Sequence, residues 1–192
     1  PQTDYYYRIS AINILGTGTA STSVLGTTLD APDAVTDLAG SISGSDLDFT
    51  WSAPADNGST ISKYIFQVQS IDTGNWLTLD NNVQGTTFTH TGINDTFPNT
   101  QISYRVYAVN AIGQSPASNV EQVWTSPTAP TGITAQSLDF DETTISWTTT
   151  TGLTYKLEHS TDNTTFTTEA DPATTPYTDT GLTLGSTHYY KV

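Results

Sequence analysis

The most regular alternation of hydrophobic and polar positions in the chain surrounds the stretch YRVYAVNAIG, Tyr104 to Gly113. Ile102, Tyr104, Val106 and Ala108 fall on one face and Ser103, Arg105, Tyr107 and Val109 on the other. This two-residue period predicts a strand with one buried side, ending at Asn110 and a turn containing Gly113. A near copy, YRISAINILG, runs from Tyr7 to Gly16, and a third begins at Tyr190-Lys191-Val192. The copies start 97 and 86 residues apart. That spacing suits a small sandwich domain and is far too long for a solenoid repeat.

The same alternation predicts strands elsewhere. Tyr5 to Asn13 reads as one strand with Tyr5, Tyr7, Ile9 and Ala11 on one face, and a second lies near Ser21 to Thr28. Val35 and Leu38 mark the next, followed by Leu47, Phe49 and Trp51 alternating with Asp48 and Thr50. Tyr64, Phe66 and Val68 point inward against Lys63, Ile65 and Gln67; strands around Trp76 and Leu79, around Phe88, and from Asn119 to Trp124 follow. The last third repeats the order through Ile133 and Ala135, Ile145 and Trp147, Tyr155, Leu157 and His159, then Phe166 and Tyr177. Loops rich in Gly, Pro, Asn and Asp separate these runs, as at Ala53 to Ser59 and Asp72 to Asn75. Linkers fall at Asp30-Ala31-Pro32-Asp33 and at Thr125 to Pro130, where proline removes a ladder donor and fixes the chain direction.

The aromatic-x-apolar-x-Ala-apolar-Asn motif resembles the F strand of fibronectin type III domains, and Trp51 and Trp147 stand where that family keeps its strand B tryptophan. The recurrence of strand B Trp, strand C Tyr, strand F Tyr and linker Pro in one order carries the resemblance over essentially the whole chain. It implies an all-β chain of tandem immunoglobulin-like (fibronectin type III) β-sandwiches. The expected division is strands F and G of one domain at 1–29, a complete domain at 30–126, and a domain lacking its C-terminal strand at 127–192. The family's tyrosine corner falls at Ile102 and His188, so the resemblance implies the corner hydrogen bond at Tyr5 alone. Residues 184–192 align with residues 1–9, which predicts a window on a longer tandem array rather than a self-contained unit.

Charge narrows the function classes. Nineteen acidic against five basic residues give a formal charge of −14, spread without any basic stripe. Sequence-independent binding of nucleic acid or anionic lipid is therefore disfavoured. No apolar run reaches the 18 or so residues of a membrane-spanning helix, so no membrane insertion is expected in this segment. Cysteine is absent, which excludes disulfides and thiol chemistry. Ser and Thr form about 30% of the chain and lysine is scarce, a balance that suits exposed strand faces and points to a prokaryotic extracellular or cell-surface protein.

Candidate chemistry is sparse. His90, His159 and His188 fall on three different predicted strands, none in a metal-ligand spacing, and each reads as a structural residue. No nucleophile elbow, phosphate-cradling loop or dinucleotide fingerprint occurs, so no catalytic residues and no enzyme are expected. Asp30, Asp33 and Asp37 gather at the first linker, and Asp139, Asp141 and Glu142 in one loop. Calcium takes six to eight oxygen ligands, which makes these two clusters its candidates, against a bland reading as solvated charge; no other cofactor is expected. Asn57, Asn94 and Asn163 head glycosylation sequons in predicted loops, permissible sites rather than evidence of sugar. The expected role is a structural or adhesive stalk or filament segment at the cell surface, whose partners are neighbouring repeats or like subunits, with any glycan or protein ligand unidentified. The alternative is a non-catalytic spacer beside the catalytic domain of a secreted polysaccharide-degrading enzyme.

Overall fold

The structure is a computed structural model that describes residues 3–192, apart from the Leu138 side chain; Pro1 and Gln2 lie outside the described residues. The chain divides into two compact units, Pro1–Ser126 and Pro127–Val192. In the first, β1 (Asp4–Tyr7) pairs antiparallel with β4 (Val24–Thr27), and between them β2 (Ile12–Asn13) pairs with β3 (Gly16–Thr17). The single strand expected over Tyr5 to Asn13 is thus two short ones. The reason is local: the Ser21 hydroxyl accepts from the Ile9 N–H at 3.2 Å, taking the place of a backbone partner. The expected inner face is open, with Tyr7 62% and Ile9 78% exposed.

The remainder of this unit is a two-layer sandwich. One sheet joins β5 (Ala39–Ser43), β6 (Asp46–Thr50) and β9 (Thr87–His90). The other joins β7 (Lys63–Gln69), β8 (Trp76–Val83), β10 (Gln101–Val109) and β11 (Glu121–Trp124), in the order β11-β10-β7-β8. Alternation decides the faces: Ile102, Tyr104, Val106 and Ala108 are all buried. They meet Leu47, Phe49, Trp51, Tyr64 and Phe66 in one core, with ring centroids 4.4 Å apart for Phe49 and Tyr104 and 4.3 Å for Phe66 and Phe88. On the outer face Arg105 lies 4.1 Å from the Trp76 ring centroid and donates to Gln67 Oε1 at 2.8 Å.

Two features were not legible as strand pattern. A one-turn helix, α1 (Ile93–Thr96), closes one end of the sandwich after Gly92, whose φ of 67° suits glycine. The final strand begins at Glu121 rather than Asn119, because the Asn119 amide instead grips Leu38, accepting from its N–H at 3.0 Å and donating to its carbonyl at 2.9 Å. Beside this contact the sheets approach closely at Gly40, where a Cβ would lie 2.6 Å from a Phe49 ring carbon and 2.7 Å from a Val123 methyl. Both neighbours are buried and have nowhere to go. Gly40→Ala is expected to cost about 1–3 kcal/mol by overpacking, while Ser41→Ala next to it stays within about 0.5 kcal/mol, as urea unfolding would measure.

In the second unit β12 (Thr134–Asp139), β13 (Glu142–Ser146) and β16 (Tyr177–Thr180) form one three-stranded sheet. The other contains β14 (Tyr155–Ser160), β15 (Thr167–Ala173) and β17 (Tyr189–Lys191), in the order β15-β14-β17. Ile145, Trp147, Leu157 and Ala173 make its small core. Phe166 lies just before β15 rather than within a strand, with the Lys191 ammonium 3.6 Å from its ring centroid.

Candidate functional site

The structure places the first acidic cluster within loop bracing. Asp33 Oδ1 accepts from Asn57 Nδ2 at 3.0 Å, Asp37 Oδ1 accepts from the Ser52 N–H at 3.0 Å, and Asp30 Oδ1 accepts from the Ala31 N–H at 2.8 Å. The bond from Ser52 holds the Asp37 carboxyl below its ordinary range. Asp139, Asp141 and Glu142 lie at the tight β12–β13 turn: Asp139 pairs with Glu142, and the Asp141 carbonyl accepts from Leu182 N–H. A polar cleft of about 190 Å³ is lined by Asp139, Glu142, Ser186 and His188.

The three sequon asparagines differ sharply. Asn94 is in α1, not in a loop, and is 7% exposed; its amide donates to the Gly44 carbonyl and accepts from the Ser126 N–H. Asn57 spends its NH₂ group on the Ala31 carbonyl and Asp33. Asn163 is exposed, at φ 58° in the β14–β15 turn.

That turn is organised by Asp162. Its carboxylate accepts from the Thr165 N–H at 2.7 Å, the Thr164 N–H at 2.8 Å and the Ser160 hydroxyl at 2.8 Å, which together hold its pKa well below 3.8. A carboxylate depressed in the folded state contributes stability that is fully present above its unfolded value and is lost as pH falls from there through the lower folded value. Urea unfolding of the chain is therefore expected to weaken below about pH 4. In Asp162→Ala this loss should be smaller, with the protein already weaker at pH 7.

The three histidines, each expected to be structural, have different surroundings. His90 is half-buried: burial lowers its pKa, and its Nδ1 lies 3.0 Å from the Tyr104 phenol. His159 on β14 and His188 just before β17 come together, Nε2 to Nδ1, at 2.7 Å. A ring nitrogen of His159 and carboxylate oxygens of Glu169 on β15 and Asp179 on β16 all lie within 4.8 Å of one another. Two phenols brace the carboxylates: Tyr190 donates to Asp179 Oδ2 at 2.8 Å and Tyr177 to Glu169 Oε1 at 3.1 Å. Burial, and then the bond to Asp179, push the Tyr190 pKa up. Asp179 is 6% exposed, a carboxyl group inside the second unit.

Strand register shows what this cluster replaces. β6 pairs Phe49 with Phe88 and Leu47 with His90; β13 pairs Ile145 with Tyr177 and Thr143 with Asp179. Asp179 thus occupies the position of His90, and by the β7–β8 and β14–β15 registers His159 and Glu169 occupy those of Val68 and Leu79. The signal available in the sequence was a His at an inward position of a strand otherwise filled by Tyr155 and Leu157. No sequence spacing links it to Glu169 and Asp179.

Two antiparallel sheets packed around an alternating aromatic core define an all-β protein of the immunoglobulin-like sandwich class. Residues 33–124 match the family model of the fibronectin type III domain, and that segment is such a domain. Among relatives, fibronectin type-III domain-containing protein 3A of Pongo abelii is 28% identical over 141 residues, 68% of this chain and 12% of that protein. The chain therefore spans about an eighth of that relative's length. Similar solved structures include the FN1–FN3 domains of chicken CNTN1, at 22% identity with TM-score 0.41, covering 97% of this chain and 68% of that one. The sixth fibronectin type III domain of human fibronectin type III domain containing protein 3 is 21% identical with TM-score 0.46, covering 53% and 92%.

Proposed function

We propose that the chain is a structural or adhesive stalk or filament segment of a large extracellular repeat protein at a prokaryotic cell surface, divided into domains at 1–29, 30–126 and 127–192. The observation that carries this reading is the recurrence of one aromatic register: Trp51, Tyr64 and Tyr104 in the first unit reappear as Trp147, Tyr155 and Tyr190 in the second. The connection at 125–130 carries two prolines, each of which removes a backbone donor between the repeats. The acidic surface with few lysines supports exposure to the medium, and the partners are neighbouring repeats or like subunits. Immunogold labelling of intact source cells, with electron microscopy of the native protein, tests it. The expected result is surface label on beaded, elongated particles. Cytosolic label, or a particle dominated by one polysaccharide-cleaving domain, would refute it.

A further inference from the structure

From the meeting of His159, Glu169 and Asp179 on three strands, we infer that the second unit binds a divalent transition metal, of the zinc class, as a staple between its two sheets. His159 and Glu169 stand on the β15-β14-β17 sheet and Asp179 on the β12-β13-β16 sheet, so one ion held by all three ties the layers together. The tautomer can be read from the hydrogen-bond chain. Ser186 donates its hydroxyl proton to the Thr183 carbonyl, so its oxygen accepts from His188 Nε2–H at 2.6 Å. His188 Nδ1 is then the acceptor for His159 Nε2–H, which leaves Nδ1 as the His159 ring nitrogen open to a metal. A metal-binding histidine has this arrangement, with the other ring N–H fixed by an outer partner.

The charge pattern points the same way. Two carboxylates share this interior, one of them nearly fully buried, and the groups facing them are the phenols of Tyr177 and Tyr190 and the two imidazoles. The phenols orient the carboxylates but add no positive charge. Lys156 is engaged with Glu158 and Lys191 lies over Phe166. Carboxylates brought together in a low-dielectric interior repel, and a divalent cation removes that repulsion while its ligation adds to folding free energy. An imidazole among the donors selects zinc, cobalt, nickel or copper over calcium and magnesium. The core of this unit is small, and His159 stands where Val68 packs against the core of the first, so such a staple would contribute most here.

The test is titration of cobalt(II), then zinc, into the chelator-treated 192-residue chain, followed by visible absorption and by urea unfolding. One equivalent of cobalt is expected to develop a d–d band that zinc abolishes, and zinc is expected to raise the unfolding midpoint. His159→Ala and Glu169→Gln should remove the band, and His188→Ala should weaken zinc binding by about 10–100-fold by freeing the ligand ring. His90→Ala in the first unit should leave binding unchanged. Glu169→Gln keeps the shape of the side chain and its contact with Tyr177, so circular dichroism can confirm that it folds. Absence of the band, a band that survives in Glu169→Gln, or equal competition by calcium would overturn the inference.

Discussion

Asn110→Ala is expected to destabilise the first unit by about 3–5 kcal/mol, because one buried side chain reaches five backbone groups, two of them sharing one N–H, that would lose it together. Its NH₂ group donates to the carbonyls of Asp30 at 2.8 Å, Asp56 at 3.1 Å and Ser59 at 3.1 Å. Its Oδ1 accepts from the N–H groups of Ile112 at 2.9 Å and Gly113 at 3.0 Å. Three separate chain segments, the linker before the sandwich, the loop before β7 and the turn after β10, are thus fixed at one point. Asn110 is 5% exposed, so water reaches the orphaned groups only after local opening. Asn110→Asp separates the contributions: it keeps the acceptor for the turn but faces the three carbonyls with a carboxylate, and should be at least as damaging. Urea unfolding followed by tryptophan fluorescence measures both. A change below about 1 kcal/mol in Asn110→Ala would mean that the network adds nothing net.

Trp51→Ala is expected to cost about 3–5 kcal/mol, which is comparable with the whole stability of a small sandwich. The indole is 5% exposed and lies between Tyr64 and Phe66, with centroids 5.3 and 5.8 Å away. Its removal leaves a cavity that neighbouring rings in two sheets cannot fill without leaving their own packing. Trp124 provides the contrast within the same unit. It is 59% exposed on an edge strand, so Trp124→Ala should change the unfolding free energy by no more than about 0.5 kcal/mol. An unchanged thermal midpoint for Trp51→Ala would contradict the assignment of β6 as a core strand.

Alternation alone was enough for the strands with one wet and one dry face. Tyr64 and Phe66, Leu47 and Phe49, and Ile102 through Ala108 are buried where their period placed them, because a strand sends successive side chains to opposite faces whatever it packs against. The same reasoning gave Tyr5, Tyr7 and Ile9 a common inner face, yet no second layer among the described residues covers them. Burial is a property of two surfaces, and the sequence of one strand contains only the first. Local pattern also missed α1, a single turn too short to show helical periodicity, and with it the burial of Asn94.

What the sequence determined by itself was the all-β class, the repeated strand motif and the core tryptophans, since each follows from spacings of two residues or from a pattern that recurs. The tertiary structure alone decided where the polar side chains finish. Asn110 reaches Asp30 across 80 positions, and His159, Glu169 and Asp179 come from three strands in two sheets. Hydrogen bonds act over about 3 Å in space and metal ligation over about 2 Å, whereas strand order and register, which set those distances, arise from the pairing of whole elements. For that reason His159 read only as a structural residue in the chain, while the fold sets it beside Glu169 and Asp179.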